Sequence, residues 1–214
     1  MVPANAPPAL VEVAQRYAQT SRGVVTFQMH RVFDAHAGFA KRHEDLVLNG
    51  VYDDGALVRV RVLSYSLDGK VASATDIANV EASWNHPNPS DVFAPPFDAR
   101  NFDAYQYRSD GPSTIDFFST VHDAGHGNGS FMYDAQDNVV SYTYQPNVMP
   151  PHASSGEITD RLAEMLPGYW AAAHEVQEYH GSVGPFGGSG TIEIAYSDFR
   201  RFADLESALR ALAL

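Results

Sequence analysis

The run VHDAGHGNG places His122, Asp123 and His126 within one short stretch. Imidazole nitrogens and a carboxylate are ligands that zinc accepts, and a histidine beside an acid is a common general base. A spacing of four puts two histidines on one face of a helix, but Gly125 and Gly127 oppose a helix here. In a strand the same spacing separates them by about 13 Å, too far for one ion. Only a tight turn brings both nitrogens to zinc's ~2.0–2.1 Å. Asp123, or a distant histidine such as His30, His152, His174 or His180, would complete the set. The plainer expectation is a turn whose Asp and His side chains bind backbone groups while glycines take positive φ. A metal-dependent enzyme centred on His122, Asp123 and His126 is therefore the alternative reading.

Other routes to catalysis find less footing. Ser, His and Asp are present, but no G-x-S-x-G elbow exists. GSVGPFGGSG (181–190) lacks the lysine of a phosphate loop and the spacing of a dinucleotide fingerprint. It lies between two strand patterns and reads as a hairpin loop. Glu175 and Glu178, beside His174 and His180, offer acid–base groups, and a solvated strand face accounts for them more simply. No catalytic residue is assigned and no cofactor is expected.

Composition removes further classes. With no cysteine, disulfides, thiol nucleophiles, Cys-type zinc sites and Cys-borne lipid anchors are excluded. A net charge of −12 argues against nucleic acid and against an electrostatic hold on an anionic membrane. No apolar run approaches the ~20 residues of a spanning helix.

The aromatic residues suggest a different chemistry, the burial of apolar ligand surface. Phe27 with Met29, Phe131 with Tyr133, and Tyr142 with Tyr144 stand two apart and share strand faces. With Trp84 they are the candidate lining of an apolar cavity, the tyrosines suiting its rim. Arg59 and Arg61 share a strand face opposite Val58, Val60 and Val62. Solvent exposure is the plain expectation for them, and a lid-gating ion pair the sharper one.

The elements that would position these residues follow from periodicity. PALVEVAQRYAQT (8–20) reads as a helix with Leu10, Val13, Ala14 and Tyr17 on one face. GVVTFQMHRVF alternates as a strand, residues 39–51 form another, and Asp53-Asp54-Gly55 signals a hairpin into ALVRVRVLSY. Residues 73–84 read as a helix, with a Ser73/Asp76 capping pattern and a stripe of Ile77, Val80 and Trp84. Residues 86–101 form a long irregular connection carrying four prolines, a covering or functional loop. Strands follow at 104–109, 114–122, 130–134 and 138–145. Residues 153–170 allow either a capped helix (Ser154, Glu157) or an alternating strand (Ile158, Asp160, Leu162). A last hairpin spans the glycine-rich loop, and ADLESALRALAL closes as an amphipathic helix with Leu205, Ala208, Leu209 and Leu212 inward. Nine or ten strands in short antiparallel connections predict an α+β fold. It is a single curled antiparallel sheet, a half-barrel, with helices covering the concave face. Residues 1–214 form one domain in this reading, residues 1–7 being a flexible N-terminus. MVPANAPPALVEVAQ is small and proline-rich, like the start of an exported mature chain, and the expectation is that Met1 stands in place of a removed signal peptide.

This order of elements resembles the LolA/LolB-like lipoprotein-carrier superfamily. The resemblance rests on PALVEVAQRYAQT followed by GVVTFQMHRVF, on the hairpin GSFMYDAQDNVVSYTYQP, and on the final hairpin ending GTIEIAYSDFRRF. It implies an unclosed barrel whose concave face binds acyl chains under a helical lid. It also implies a buried arginine that latches the lid, for which Arg31, Arg59 and Arg61 are the candidates. The absence of Cys makes the soluble carrier type the closer match to this chain. The expected function is non-enzymatic binding of an apolar or amphiphilic, lipid-like ligand, in the periplasm or outside the cell. The 73–101 segment would move to admit it. No nucleic acid and no stable membrane insertion are expected. A protein partner docking on the 86–101 loop is a third class of reading.

Overall fold

In the computed structural model, which describes residues 6–183 and 186–213, eleven strands form one antiparallel sheet. Most of the expected flexible N-terminus, and Gly184 and Pro185 of the glycine-rich loop, lie outside the described residues. Helix α1 (Ala9–Thr20) leads into strands β1 (Val24–Ala37), β2 (Ala40–Asp53), β3 (Ala56–Leu67) and β4 (Lys70–Val71). Helix α2 (Ala74–Asn85) and two 3₁₀ turns (Pro89–Asp91, Ala99–Ala104) carry the chain across the molecule. Strands β5 (Tyr105–Ser109), β6 (Thr114–Ser119), β7 (Gly127–Tyr133), β8 (Val139–Pro146), β9 (Ala153–Leu166), β10 (Tyr169–Val183) and β11 (Phe186–Phe202) then meander back, and α3 (Leu205–Ala213) ends the chain.

The strand order is β4-β3-β2-β1-β11-β10-β9-β8-β7-β6-β5. Two meanders are thus joined by the pairing of β1 with β11, and the sheet is not closed into a barrel. Asp54 and Gly55 both take positive φ, the geometry of the tight β2–β3 turn. The ambiguous 153–170 stretch is strand. Ile158 and Asp160 are buried in phase, and the Ser154 hydroxyl donates to the His180 carbonyl across the hairpin (3.2 Å) instead of capping a helix.

On the inner face lie two apolar clusters. One joins Leu10, Val13 and Ala14 of α1 to Phe97, Phe102 and the aromatic residues of β5–β8. The other joins Val25, Phe27 and Met29 to β2, β3 and β11, with Ile77, Val80 and Trp84 of α2 packed against it. Helix α3 departs from expectation. Its Ala208 and Leu212 are buried against Val24 and Val51. Val24 alternates with Val25 and Phe27 along β1, so α3 packs on the outer face, not the concave one. An apolar pair out of phase with the inner stripe needed its own cover.

Helix α2 has a capping box between Ser73 and Asp76, as the pattern predicts. It lies along the free edge of β3, which β4 covers over only two residue pairs. Asn85 accepts from the Val60 N–H (2.8 Å) and donates to the Val60 carbonyl (3.1 Å). The Glu81 carboxylate accepts from the Val62 N–H (2.9 Å). Bare edge groups that would template pairing with another chain are satisfied by these side chains. No described residue of α2 is fully buried.

Candidate ligand-binding face

The segment between α2 and β5 supplies the innermost cover of the aromatic half. Phe93 stacks on Tyr142 (5.1 Å between ring centroids) and on Tyr144 (4.5 Å). Phe97 meets Tyr17 (4.9 Å) and Phe131 (5.5 Å) edge-on and is 2% exposed. The Pro95 carbonyl accepts from the Asp98 N–H (3.1 Å) and from the Asn101 side chain (3.0 Å), and the Pro96 carbonyl accepts from the Tyr107 hydroxyl (2.7 Å). The Tyr105 hydroxyl donates likewise to the Ala94 carbonyl (2.7 Å).

The HDAGHG turn has its role here. The Gly125 N–H donates to the Ser90 carbonyl (2.6 Å), and the Gly125 carbonyl accepts from the Ala94 N–H (3.0 Å). A Cβ at position 125 would stand 2.3 Å from the Val92 carbonyl oxygen, so only glycine lets the two backbones approach. His126 Nδ1 pairs with Asp123 Oδ1 at 2.6 Å within the same turn, while His122 is exposed. Among the described residues no group of three or more His, Asp or Glu side chains is placed to hold a metal ion. The turn is a clamp on the inserted segment.

The remaining candidates divide by face. Phe27, Met29, Phe131 and Tyr144 are buried on the inner face. Tyr142 lies beside Phe131 in register, and Tyr133 packs at the margin, its hydroxyl donating to the Pro112 carbonyl (3.0 Å). Phe27 covers Gly50, where a Cβ would come within 2.3 Å of its ring. Trp84 is half-buried on α2. Thus Phe27, Met29 and Trp84 belong to one cluster and Phe131, Tyr133, Tyr142 and Tyr144 to the other. Arg59 and Arg61 point the other way. They alternate with buried Val60 and Val62, and Arg61 Nη1 donates to the Leu212 carbonyl of α3 on the outer face (3.2 Å). Neither reaches the inner face. Arg31 does, and it pairs with Glu44 of β2 (3.3 Å).

Between the two clusters runs a polar strip. One row of the inner face reads, strand by strand, Phe131, Tyr142, Asp160, Glu175, Ile194, Arg31 and Leu46. Asp160 and Glu175 are directly opposed on β9 and β10. Gln177 donates to the Glu175 carboxylate, and the Tyr179 hydroxyl donates to Gln177 Oε1 (2.9 Å). Asp160 is 2% exposed, and its Oδ1 lacks a hydrogen-bond partner among the described residues. Burial, then the charge of Glu175, push the Asp160 carboxyl up to about 9. Burial also raises Glu175, against the pull of Gln177 and Arg31. Burial raises Tyr142 well above its ordinary value, with the Asp160 charge adding to it. The pair therefore keeps a proton at neutral pH.

The solved structures place this architecture. The chain is similar to an "outer membrane lipoprotein-sorting protein domain" from Vibrio parahaemolyticus, with 12% identity, a TM-score of 0.50, and coverage of 96% of this chain and 98% of that one. It is also similar to a DUF1329 family protein from Desulfovibrio piger, with 10% identity, a TM-score of 0.44, and coverage of 95% and 97%. No family model and no curated protein sequence matches the chain. At this level of identity the first likeness defines a fold, and that fold is LolA/LolB-like. Among the described residues no helix is long and apolar enough to cross a membrane.

Proposed function

We propose that this chain is a non-enzymatic binding protein for an apolar or amphiphilic, lipid-like ligand, and that residues 1–214 act as one half-barrel unit. The observation that carries the reading is the half-buried ring of Phe93, laid on Tyr142 and Tyr144 by an inserted segment and not by the sheet itself. A ligand chain would replace Phe93 on that bed, with burial contributing ~25 cal/mol per Å² removed from water. Helix α2 buries no residue fully and leads directly into this segment, so α2 and Phe93 form the moving part. Phe97 and the 3₁₀ turn behind it, capped by the Asp98 carboxylate on the Arg100 N–H (2.9 Å), form its fixed base. The LolA-like fold supports a periplasmic or extracellular setting and a carrier role. A protein partner on the 86–101 segment fits less well, because Phe93 and Phe97 face inward.

The test is titration with N-phenyl-1-naphthylamine, a neutral probe that fluoresces in apolar sites. Saturable uptake at one site is expected, displaced by long-chain alcohols. Phe93→Ala should tighten it several-fold, because a larger fraction of molecules would have the bed open. Absence of saturable uptake by both the native chain and the variant would overturn the reading.

A further inference from the structure

The polar strip is a costly feature to place in the floor of a lipid-binding face. An apolar row would have stabilised the sheet without burying the Asp160 carboxyl and half-burying that of Glu175. Asp160 and Glu175 face each other on adjacent strands, with Tyr142 on the next strand. Tyr144 and Tyr179 lie one step along, and Phe93 of the inserted segment covers Tyr142. The cation on the same row, Arg31, is engaged by Glu44. Gln177 gives its amide N–H to Glu175 and takes the Tyr179 hydroxyl on its oxygen. Asp160 Oδ1, 2% exposed, is left without a donor among the described residues. Every other buried side-chain nitrogen or oxygen described is satisfied, so this orphan acceptor stands out.

We infer that the Asp160–Glu175 pair is the head-group site of the inner face and that it takes a cationic nitrogen, the protonated amine of an amphiphile whose chain lies on the Tyr142–Tyr144 bed. This rests on the binding reading above and adds the head-group class to it. An ammonium supplies three N–H donors and no acceptor, which matches an orphan oxygen flanked by a second carboxyl. It also supplies the positive charge that lets both carboxyls ionise in a buried place. A carboxylate or phosphate head would add a like charge there, and a hydroxyl head would donate without relieving the shared proton. Binding an ammonium should therefore expel the proton that the unliganded pair retains, into solvent.

The experiment compares dodecylamine, dodecanol and dodecanoate on the whole chain by isothermal titration at pH 7, each below its micelle-forming concentration. Two buffers of different ionisation enthalpy report proton release. Dodecylamine is expected to bind at least ten-fold tighter than dodecanol, with up to one proton released, and dodecanoate to bind weakest. Asp160→Asn should abolish the preference, so that dodecylamine binds no tighter than dodecanol does to the same variant. Glu175→Gln serves the same end if the first variant does not fold. Equal binding of the three, or preference for dodecanoate, would overturn the head-group inference alone. A dodecylamine preference that survives both substitutions would do the same. Binding of none would overturn the lipid-binding reading with it.

Discussion

Over β5–β8 the inner face is closed by side chains that go into it: Leu10, Val13, Phe97 and Phe102 are all buried. Over β1–β3 it is closed by α2, whose Ile77, Val80 and Trp84 are only partly buried. The hold of α2 comes instead from Asn85 and Glu81 on backbone groups of the β3 edge. Apolar burial contributes in proportion to area, whereas a few hydrogen bonds exchanged with water contribute about 1 kcal/mol each. The first cover is therefore the more firmly held of the two. Phe93 stands at the junction of the two, half-buried and pinned on either side through Gly125.

The largest test of this contrast is Phe97→Ala. Removing a fully buried phenyl ring should cost about 3–5 kcal/mol and lower Tm by roughly 10 °C in a thermal melt. Gly125→Ala should cost about 2 kcal/mol, because its Cβ cannot coexist with the Val92 carbonyl at 2.3 Å. It should also raise apolar probe uptake by freeing Phe93. Asn85→Ala removes both bonds to Val60 and should cost about 1–2 kcal/mol. Light scattering should then show association through the bared β3 edge. The smallest effect belongs to Trp84→Ala, at about 1 kcal/mol, since the ring is only half-buried. If Trp84→Ala costs as much as Phe97→Ala, the contrast between the covers fails.

The strip between the halves gives a pH signature. A carboxyl whose folded value is raised binds its proton more tightly folded than unfolded. Its contribution is complete below the unfolded value of about 4 and is lost as pH rises through about 9. Stability should therefore decline across that window, and Asp160→Asn should flatten the decline. Chemical denaturation at pH 5 and pH 8.5 reads it; an unchanged slope in the variant would assign the dependence elsewhere.

Much of this was legible in the chain. Periodicity located α1, the strands and the cap of α2, because each local pattern agrees with the tertiary packing. The apolar pair on β1 and the aromatic pairs on β7 and β8 followed from alternation alone. Other features depend on which face a strand turns inward, and a single strand does not declare that. Arg59 and Arg61 were correctly set against Val60 and Val62, yet alternation could not say that their side belongs to α3. The paired carboxyls were within reach of the sequence. Asp160 stands in phase with Ile158 and Leu162, and an acid on an apolar stripe is the signal of a buried polar site. Glu175 offered no such stripe, and its place opposite Asp160 is a register that only the folded sheet supplies. The HDAGHG stretch was legible as a turn, but Gly125, Gly127 and Gly129 do not take the positive φ expected of them, and the grip on Ser90 and Ala94 spans a contact that spacing does not encode.

In the proposed function, ligand entry lifts Phe93 and its flanks from the aromatic bed while Phe97 stays. Hydrogen–deuterium exchange with and without dodecanol tests it most directly. Faster exchange is expected at the Ala94 and Gly125 amides on binding, with the Asn101 amide and those of β7 and β8 unchanged. Saturable binding that slows exchange at Ala94 and Gly125, or leaves it unaltered, would contradict it.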